Sequence, residues 1–279
     1  MRCSASTGRS GEFMSTLTME RPLESGWLAD TPVEDSLLRR FVHNQADVNE
    51  LLALALGGRR DRTDDVFLTD GGSPVGYFNQ AIPARPVLDV TDPVLDTIDA
   101  FFAATQNPTT LLSIWPTPDL SDRGWRLGGH PMMVVRSPTP IEHDPPADVD
   151  VRVAAQPGDF ATAERVAIEG YPLEEARGMP AGALFAPTVA EAGLAVRLGL
   201  LDGEPVAAGN RFIAHGLVNL CFAATMPAAR RRGVWEALVW ARVGDAPTLP
   251  AVAYTSDHSR PGFERMGFLP LTRFTLWVR

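Results

Sequence analysis

Apolar and polar positions along the second half of the chain fall into short runs bounded by turn residues. "VRVAA" (151–155), "GLAVRLGLL" (193–201), "PVAAGNRFIA" (205–214), "LVNLCFAAT" (217–225), "AVAYT" (251–255) and the closing "FTLWV" (274–278) have strand length and composition. The middle three predict consecutive antiparallel strands, the first two joined by an Asp-Gly turn. "GDFATAERVAIEGY" (158–171) has the period of an amphipathic helix; a further helix is expected from Pro227, and a short one from Gly262 to Met266. In the first half, "TPVEDSLLRRFV" opens a helix with Thr31 as N-cap, Pro32 at the first helical position and Glu34 closing a capping box. A second helix is expected from Asp47 to Leu56, stopped by Gly57 and Gly58. A hairpin (68–82), a strand near "PVLDV" (86–90), the helix "DPVLDTIDAFFAAT" (92–105) and a strand "TLLSIW" (110–115) follow. This order implies an α+β fold built on largely antiparallel sheets flanked by helices.

"SPTPIEHDPPAD" (137–148) holds four prolines in twelve residues and has no periodicity, so it reads as a linker between two domains. The boundaries expected are a cloning leader over 1–13, with Met14 as native start, a first domain over 14–136, a linker over 137–150 and a second domain over 151–279. The halves resemble each other. "LTDGGSPVGYFNQAI" (68–82) and "LLDGEPVAAGNRFI" (200–213) share an apolar–turn–apolar pattern. "GWRLGGHPMMVVR" (124–136) and "GFLPLTRFTLWVR" (267–279) both run from Gly-aromatic to Val-Arg over thirteen residues. Two such matches in one order suggest an internal duplication.

The net charge of −9 resides mainly in the first half, where residues 14–140 carry 17 acids against 10 arginines. Residues 151–279 carry 12 acids against 13 arginines. An acidic chain disfavours nucleic acid as a partner, and no run approaches the roughly 18 apolar residues of a membrane span. Cys3 and Cys221 make no disulfide framework, which suits a cytoplasmic setting. All 25 basic residues are arginines, a coding bias rather than chemistry. No Cys/His spacing suggests a metal.

The chemistry concentrates in "CFAATMPAARRRGVWEAL" (221–238): strand, proline, arginines, glycine, helix. Gly233 permits a close backbone approach, the helix start offers unpaired N–H groups, and Arg230, Arg231 and Arg232 add fork-shaped cations. A pyrophosphate suits such a site. The helix after the matching strand of the first half opens with Asp92, Asp96 and Asp99 and would repel phosphate.

Residues 151–279 resemble a GCN5-related N-acetyltransferase domain. Pro227, Arg230 and Gly233 fall on that family's proline and on the first and fourth positions of its Arg/Gln-x-x-Gly-x-Gly/Ala loop; "FERMGF" (263–268) matches its aromatic-Glu-x-x-Gly-Phe signature. The resemblance implies two such folds in tandem, the first degenerate. It also implies acetyl-CoA or another acyl-CoA as co-substrate, held by Ala223, Ala224, Thr225, Arg230 to Gly233, Val234, Trp235 and Phe263. A small-molecule amine is then the acceptor, and the assembly is a monomeric pseudo-dimer or a homodimer. Asp257, His258, Ser256 and Glu169 are the candidate catalytic residues. Tyr254 is a further hydroxyl beside them, and Tyr171, Glu174 and Glu175 border the acceptor side. Two departures stand out: Trp235 replaces the loop's small sixth residue, and Phe263 replaces the tyrosine that commonly protonates the leaving thiolate. They carry the rival reading of a pseudoenzyme that serves as an acyl-CoA-binding or interaction module. A third reading keeps the pantetheine site for other acyl chemistry.

Overall fold

A computed structural model describes residues 36–279 apart from Pro172; the Thr31 cap and the leader lie outside the described residues. The elements run α1 (Leu37–Ala55), β1 (Arg59–Arg62), β2 (Val66–Asp70), β3 (Asn79–Pro83), α2 (Pro93–Phe102), β4 (Thr110–Ser113), β5 (Arg126–Gly129) and β6 (Met132–Arg136). They continue as β7 (Val149–Val153), α3 (Pro157–Gly170), α4 (Thr188–Glu191), β8 (Ala195–Leu201), β9 (Glu204–Ala214) and β10 (Leu217–Thr225). The chain closes with α5 (Val234–Val243), β11 (Ala251–Thr255), α6 (Arg260–Arg265), β12 (Leu269–Arg273) and β13 (Thr275–Val278). The α+β class holds, with two mixed sheets.

One sheet has the order β1-β2-β3-β4-β13-β5 and the other β12-β6-β11-β10-β9-β8-β7. Each half therefore lends its last strand to the other half's sheet. β6 lies antiparallel between β11 and β12, and β13 lies antiparallel between β4 and β5. Both sheets repeat one set of pairings: antiparallel β2–β3 then parallel β3–β4, antiparallel β9–β10 then parallel β10–β11. The matching ends at 124–136 and 267–279 are thus topological equivalents, each an edge strand followed by an exchanged one. The matching hairpins are not. Residues 200–213 form β8–β9, whose Asp202-Gly203 turn has positive φ at both residues (52° and 83°), whereas 68–82 form β2–β3, the counterpart of β9–β10.

Three local expectations are corrected. The two helices of the first half are one, α1, capped by Ser36, because no breaker stands between Leu37 and Ala55. "PVLDV" is not a strand: Asp92 turns back to accept from Val94 N and pairs with Arg85 at 2.8 Å, which closes a cap instead. Pro227 opens only a 3-10 turn, and α5 begins at Val234.

α1 lies between the sheets. Phe41, Val42 and Ala46 pack with Phe67, Ile82 and Leu112 of one sheet and Leu217 and Val252 of the other. Val48 and Leu52 join the core beneath α3 and α4. α2 covers the far face of the first sheet with Val94, Leu95 and Ile98, and α5 and α6 cover the far face of the second. A helix clasped on two sides buries its polar residues as well, and these bond to each other. Asn219 Nδ2 donates to Asn44 Oδ1 (2.9 Å) and Gln45 Oε1 (3.1 Å); Gln45 donates to Asn49, and Asn49 to Gln80. Gln80 and Asn219 sit on the two parallel rungs, so one buried chain of carboxamides ties the sheets together.

Candidate functional site

Strands β10 and β11 pair only at Val218↔Ala251 and Asn219↔Val252, then part, although β10 runs on to Thr225 and β11 to Thr255. At the opening, β10 bulges against β9 between Cys221 and Ala224, and Phe222 takes a φ of 45°. A non-glycine residue in that region costs about 1–2 kcal/mol and is kept only where the surroundings demand it. The phenol of Tyr171, at the end of α3, lies beside the bulge, with its ring 5.4 Å from that of Phe222. Burial of that hydroxyl raises the phenol's pKa, while the residue as a whole is 46% exposed, so its ring forms an outer wall.

Beyond Thr225 the chain makes a turn at Pro227–Ala229 and enters α5 through two left-handed residues, Arg231 (φ 64°) and Gly233 (φ 83°). No side chain caps the helix start at Gly233, which leaves its first-turn N–H groups without an intrahelical partner. The three arginines have separate surroundings. Arg230 folds inward onto the carbonyls of Thr225 (3.2 Å) and Gly170 (3.0 Å). Arg232 pairs with Asp148 at 2.9 Å, and Arg231 is exposed.

The segment 137–148 does more than tether. Ile141 packs with Trp240 on α5, His143 lies 3.6 Å from Glu236, and Pro146 lies against Gly233. A Cβ on Gly233 would stand 2.8 Å from Pro146 Cγ. The glycine therefore admits the linker as well as serving the turn.

Trp235 points across to α6. A Cβ on Gly262 would meet its indole at 2.7 Å, and its ring meets Phe263 edge-on at 5.0 Å. Phe263 is buried and in turn meets Phe268 edge-on. The indole thus bridges the gap between the first turn of α5 and α6.

The catalytic candidates do not converge. Ser256, Asp257 and His258 form the exposed turn after β11. Ser256 bonds to Ser259 across that turn, and Asp257 pairs with Arg273 at 2.8 Å, which holds its carboxyl below the usual carboxylate range. Glu169 lies on the outer side of α3 opposite Arg165 (3.5 Å), along a surface groove of about 500 Å³ shared with Met179. Glu174 and Glu175 are exposed on the following turn. Among the described residues, Ser256, Asp257, His258 and Glu169 make no hydrogen bond or ion pair with the bulge.

Other groups do gather there. The chain has three tyrosines, and all three interact around buried Cys221. Tyr77, from the loop between β2 and β3, and Tyr254 lie 6.5 Å apart by ring centroid; Gln45 donates to Tyr77 at 3.3 Å. Burial raises both phenol pKa values and pushes the Cys221 thiol up to about 12, so these groups stay protonated. Phe222 is their hub, with ring centroids 5.2 Å from Tyr77 and 5.4 Å from Tyr171. Tyr77 and Arg242 are absent from the sequence-based candidates. Arg242 had a signal: it is the one charge on the buried face of α5, i+4 from Leu238. Tyr77 had none, because only folding brings the first half to this strand. Among the described residues, no group of three or more His, Cys, Asp or Glu could hold a metal, and no helix is long and apolar enough to cross a membrane.

The fold has solved counterparts. A GCN5-related N-acetyltransferase from Kribbella flavida superposes with a TM-score of 0.58 at 19% identity, over 84% of this chain and 95% of that one. A putative acetyltransferase of the same family from Novosphingobium aromaticivorans gives 0.51 at 14%, over 83% and 97%. A GCN5-related N-acetyltransferase from Sphaerobacter thermophilus gives 0.50 at 14%, over 77% and 76%. At these identities the likeness establishes the fold. No family model matches the sequence, and no curated protein matches it significantly.

Proposed function

We propose that this chain is an acyl-CoA-dependent N-acyltransferase acting on a small amine, with the catalytic opening in the second sheet and the first half as a degenerate copy of the same unit. The observation that carries the reading is the parted β10–β11 pair with a bulge on one side and an uncapped glycine-led helix start beyond it. The uncapped turn of α5 and the exposed Arg231 suit a pyrophosphate. A backbone N–H at the bulge, that of Ala223, suits a thioester carbonyl. An amine nitrogen attacks that carbonyl, the C–N bond forms as the C–S bond breaks, and the amine's proton passes to solvent. The hydroxyl of Tyr254, which burial keeps protonated, takes the place of the absent tyrosine at Phe263 as hydrogen-bond donor to the leaving thiolate, whose proton comes from solvent. Acetyl is the expected acyl group, and the acidic first half favours a cationic acceptor.

Isothermal titration of acetyl-CoA and free CoA into the full chain tests the reading, beside the charge reversal Arg231→Glu/Arg232→Glu. Micromolar binding, weakened at least about tenfold by the reversal, supports it. Lack of binding by the parent refutes it.

A second reading, a catalytically impaired interaction module, rests on a specific observation. Trp235 spans α5 to α6, while Pro146 and Asp148 lie on Gly233 and Arg232. On this reading the protein's own groups fill the cradle, and the parent binds neither ligand.

A further inference from the structure

Arg242 is fully buried, at 0% exposure, on the last turn of α5. Its side chain runs back along the helix: Nε donates to Leu238 O (3.0 Å) and Nη1 to Asn210 O (3.1 Å). Nη2 has no hydrogen-bond partner, and no carboxylate pairs with the guanidinium, among the described residues. The nearest acid on this helix end, Asp245, is already held by Arg197 and Arg211. A buried charge with no counter-ion costs several kcal/mol, so a purely structural role would be better served by a hydrophobic side chain of similar volume.

The position of the guanidinium is specific. It rests against Gly209 of β9, directly beside the bulge: a Cβ on Gly209 would lie 3.0 Å from Arg242 Nη1 and 3.0 Å from Ala223 Cβ. Glycine at 209 thus opens the sheet surface and brings the cation beside the bulge residue Ala223. Asn210, the ladder partner of Cys221, also carries a buried carboxamide with neither atom partnered among the described residues. Burial lowers the Arg242 pKa to about 10, which leaves it charged at neutral pH, and both Tyr171 and Cys221 feel that charge.

We propose that Arg242 is the electrostatic half of an oxyanion site at the β10 bulge. Together with Ala223 N–H, it stabilises the negative charge that develops on a thioester carbonyl oxygen. The proposal rests on the acyltransferase reading. In the step it assists, the amine lone pair forms the C–N bond and the carbonyl π pair moves onto oxygen beside Ala223 and Arg242. That pair then returns as the C–S bond breaks, the thiolate leaves with its electrons, and the ammonium proton goes to water. The ligand class recognised is an acyl thioester, whose carbonyl becomes anionic during reaction.

Arg242→Met and Arg242→Lys, each in the full chain, separate this role from packing. Two readouts are needed: thiol release from acetyl-CoA with an amine panel, and the carbonyl stretch of bound [1-13C]acetyl-CoA. Loss of an oxyanion donor typically lowers kcat by about 100-fold or more. The expectation for Arg242→Met is that loss, acetyl-CoA affinity within about threefold of the parent, a bound carbonyl stretch returned toward its solution value, and a melting temperature equal to or above the parent's. Arg242→Lys, which keeps the charge, should retain part of the shift. An unchanged carbonyl stretch and unchanged turnover in a folded Arg242→Met protein overturn the proposal and leave the acyltransferase reading standing. Should the Met variant not fold, an Arg242→Lys protein with the carbonyl stretch of free acetyl-CoA overturns it equally. If the parent binds no acetyl-CoA, the acyltransferase reading falls and this proposal falls with it.

Discussion

Trp235→Ala gives opposite signs for stability and for affinity. The indole fills the gap between α5 and α6, resting on Gly262 and edge-on to Phe263. A buried aromatic side chain covers roughly 150–250 Å², and truncating one to alanine costs about 3–5 kcal/mol in a core. Trp235 is only partly buried, so about 3 kcal/mol is the expected loss. For a folded unit of this size that corresponds to a fall in melting temperature of roughly 6–12 °C. On the acyltransferase reading, a pantetheine chain runs between the two helices, and the same ring must first leave the gap. Its packing energy is therefore set against binding in the parent and absent in the variant. Three kcal/mol is about 100-fold in Kd, an upper limit because the displaced ring can settle elsewhere. Thermal denaturation and calorimetric titration of CoA, performed on both proteins, test the two signs together. A folded variant that binds CoA no better than the parent, or worse, would refute the inference that the indole stands in the ligand's path.

Two further outcomes follow from the fold. Truncation after Arg273 removes β13, whose partners are β4 and β5 of the first half. Hydrogen exchange should lose protection in β4 and β5 while β10 and β9 stay protected; loss confined to the second half would contradict the strand exchange. Asp159 caps α3 by accepting from the N–H groups of Ala155 (2.9 Å) and Gln156 (3.1 Å), with Arg152 at 2.7 Å, and these contacts hold its pKa at about 2. Because the folded value is depressed, the stabilisation is complete above the unfolded pKa near 3.9 and is lost as pH falls through about 2. Asp159→Asn should cost about 1–2 kcal/mol at pH 7 and little at pH 2. Equal costs in urea unfolding at the two pH values would refute the assignment.

Much of this was local and therefore legible. The Asp202-Gly203 hairpin, the helix stop at Gly57 and the order of β8, β9, β10 and α5 follow from turn chemistry and hydrophobic period, which act over a few residues. The loop from Arg230 to Gly233 was legible for the same reason, as a glycine between a strand and a helix. The exchange of β6 and β13 was not. Their alternation records only that one face is buried, and a strand carries the same pattern whichever sheet accepts it. α1 shows the limit from another side: Asn44, Gln45 and Asn49 mark a polar face in the sequence, yet they are buried because Asn219 and Gln80 approach from two sheets. The site followed the same division. The sequence determined which residues carry charge, a hydroxyl or a free φ. Only the tertiary structure decided that Tyr77, Tyr171, Tyr254 and Arg242 gather around one bulge and that Ser256, Asp257, His258 and Glu169 make no bond to it, because partner choice depends on surfaces that only folding brings together.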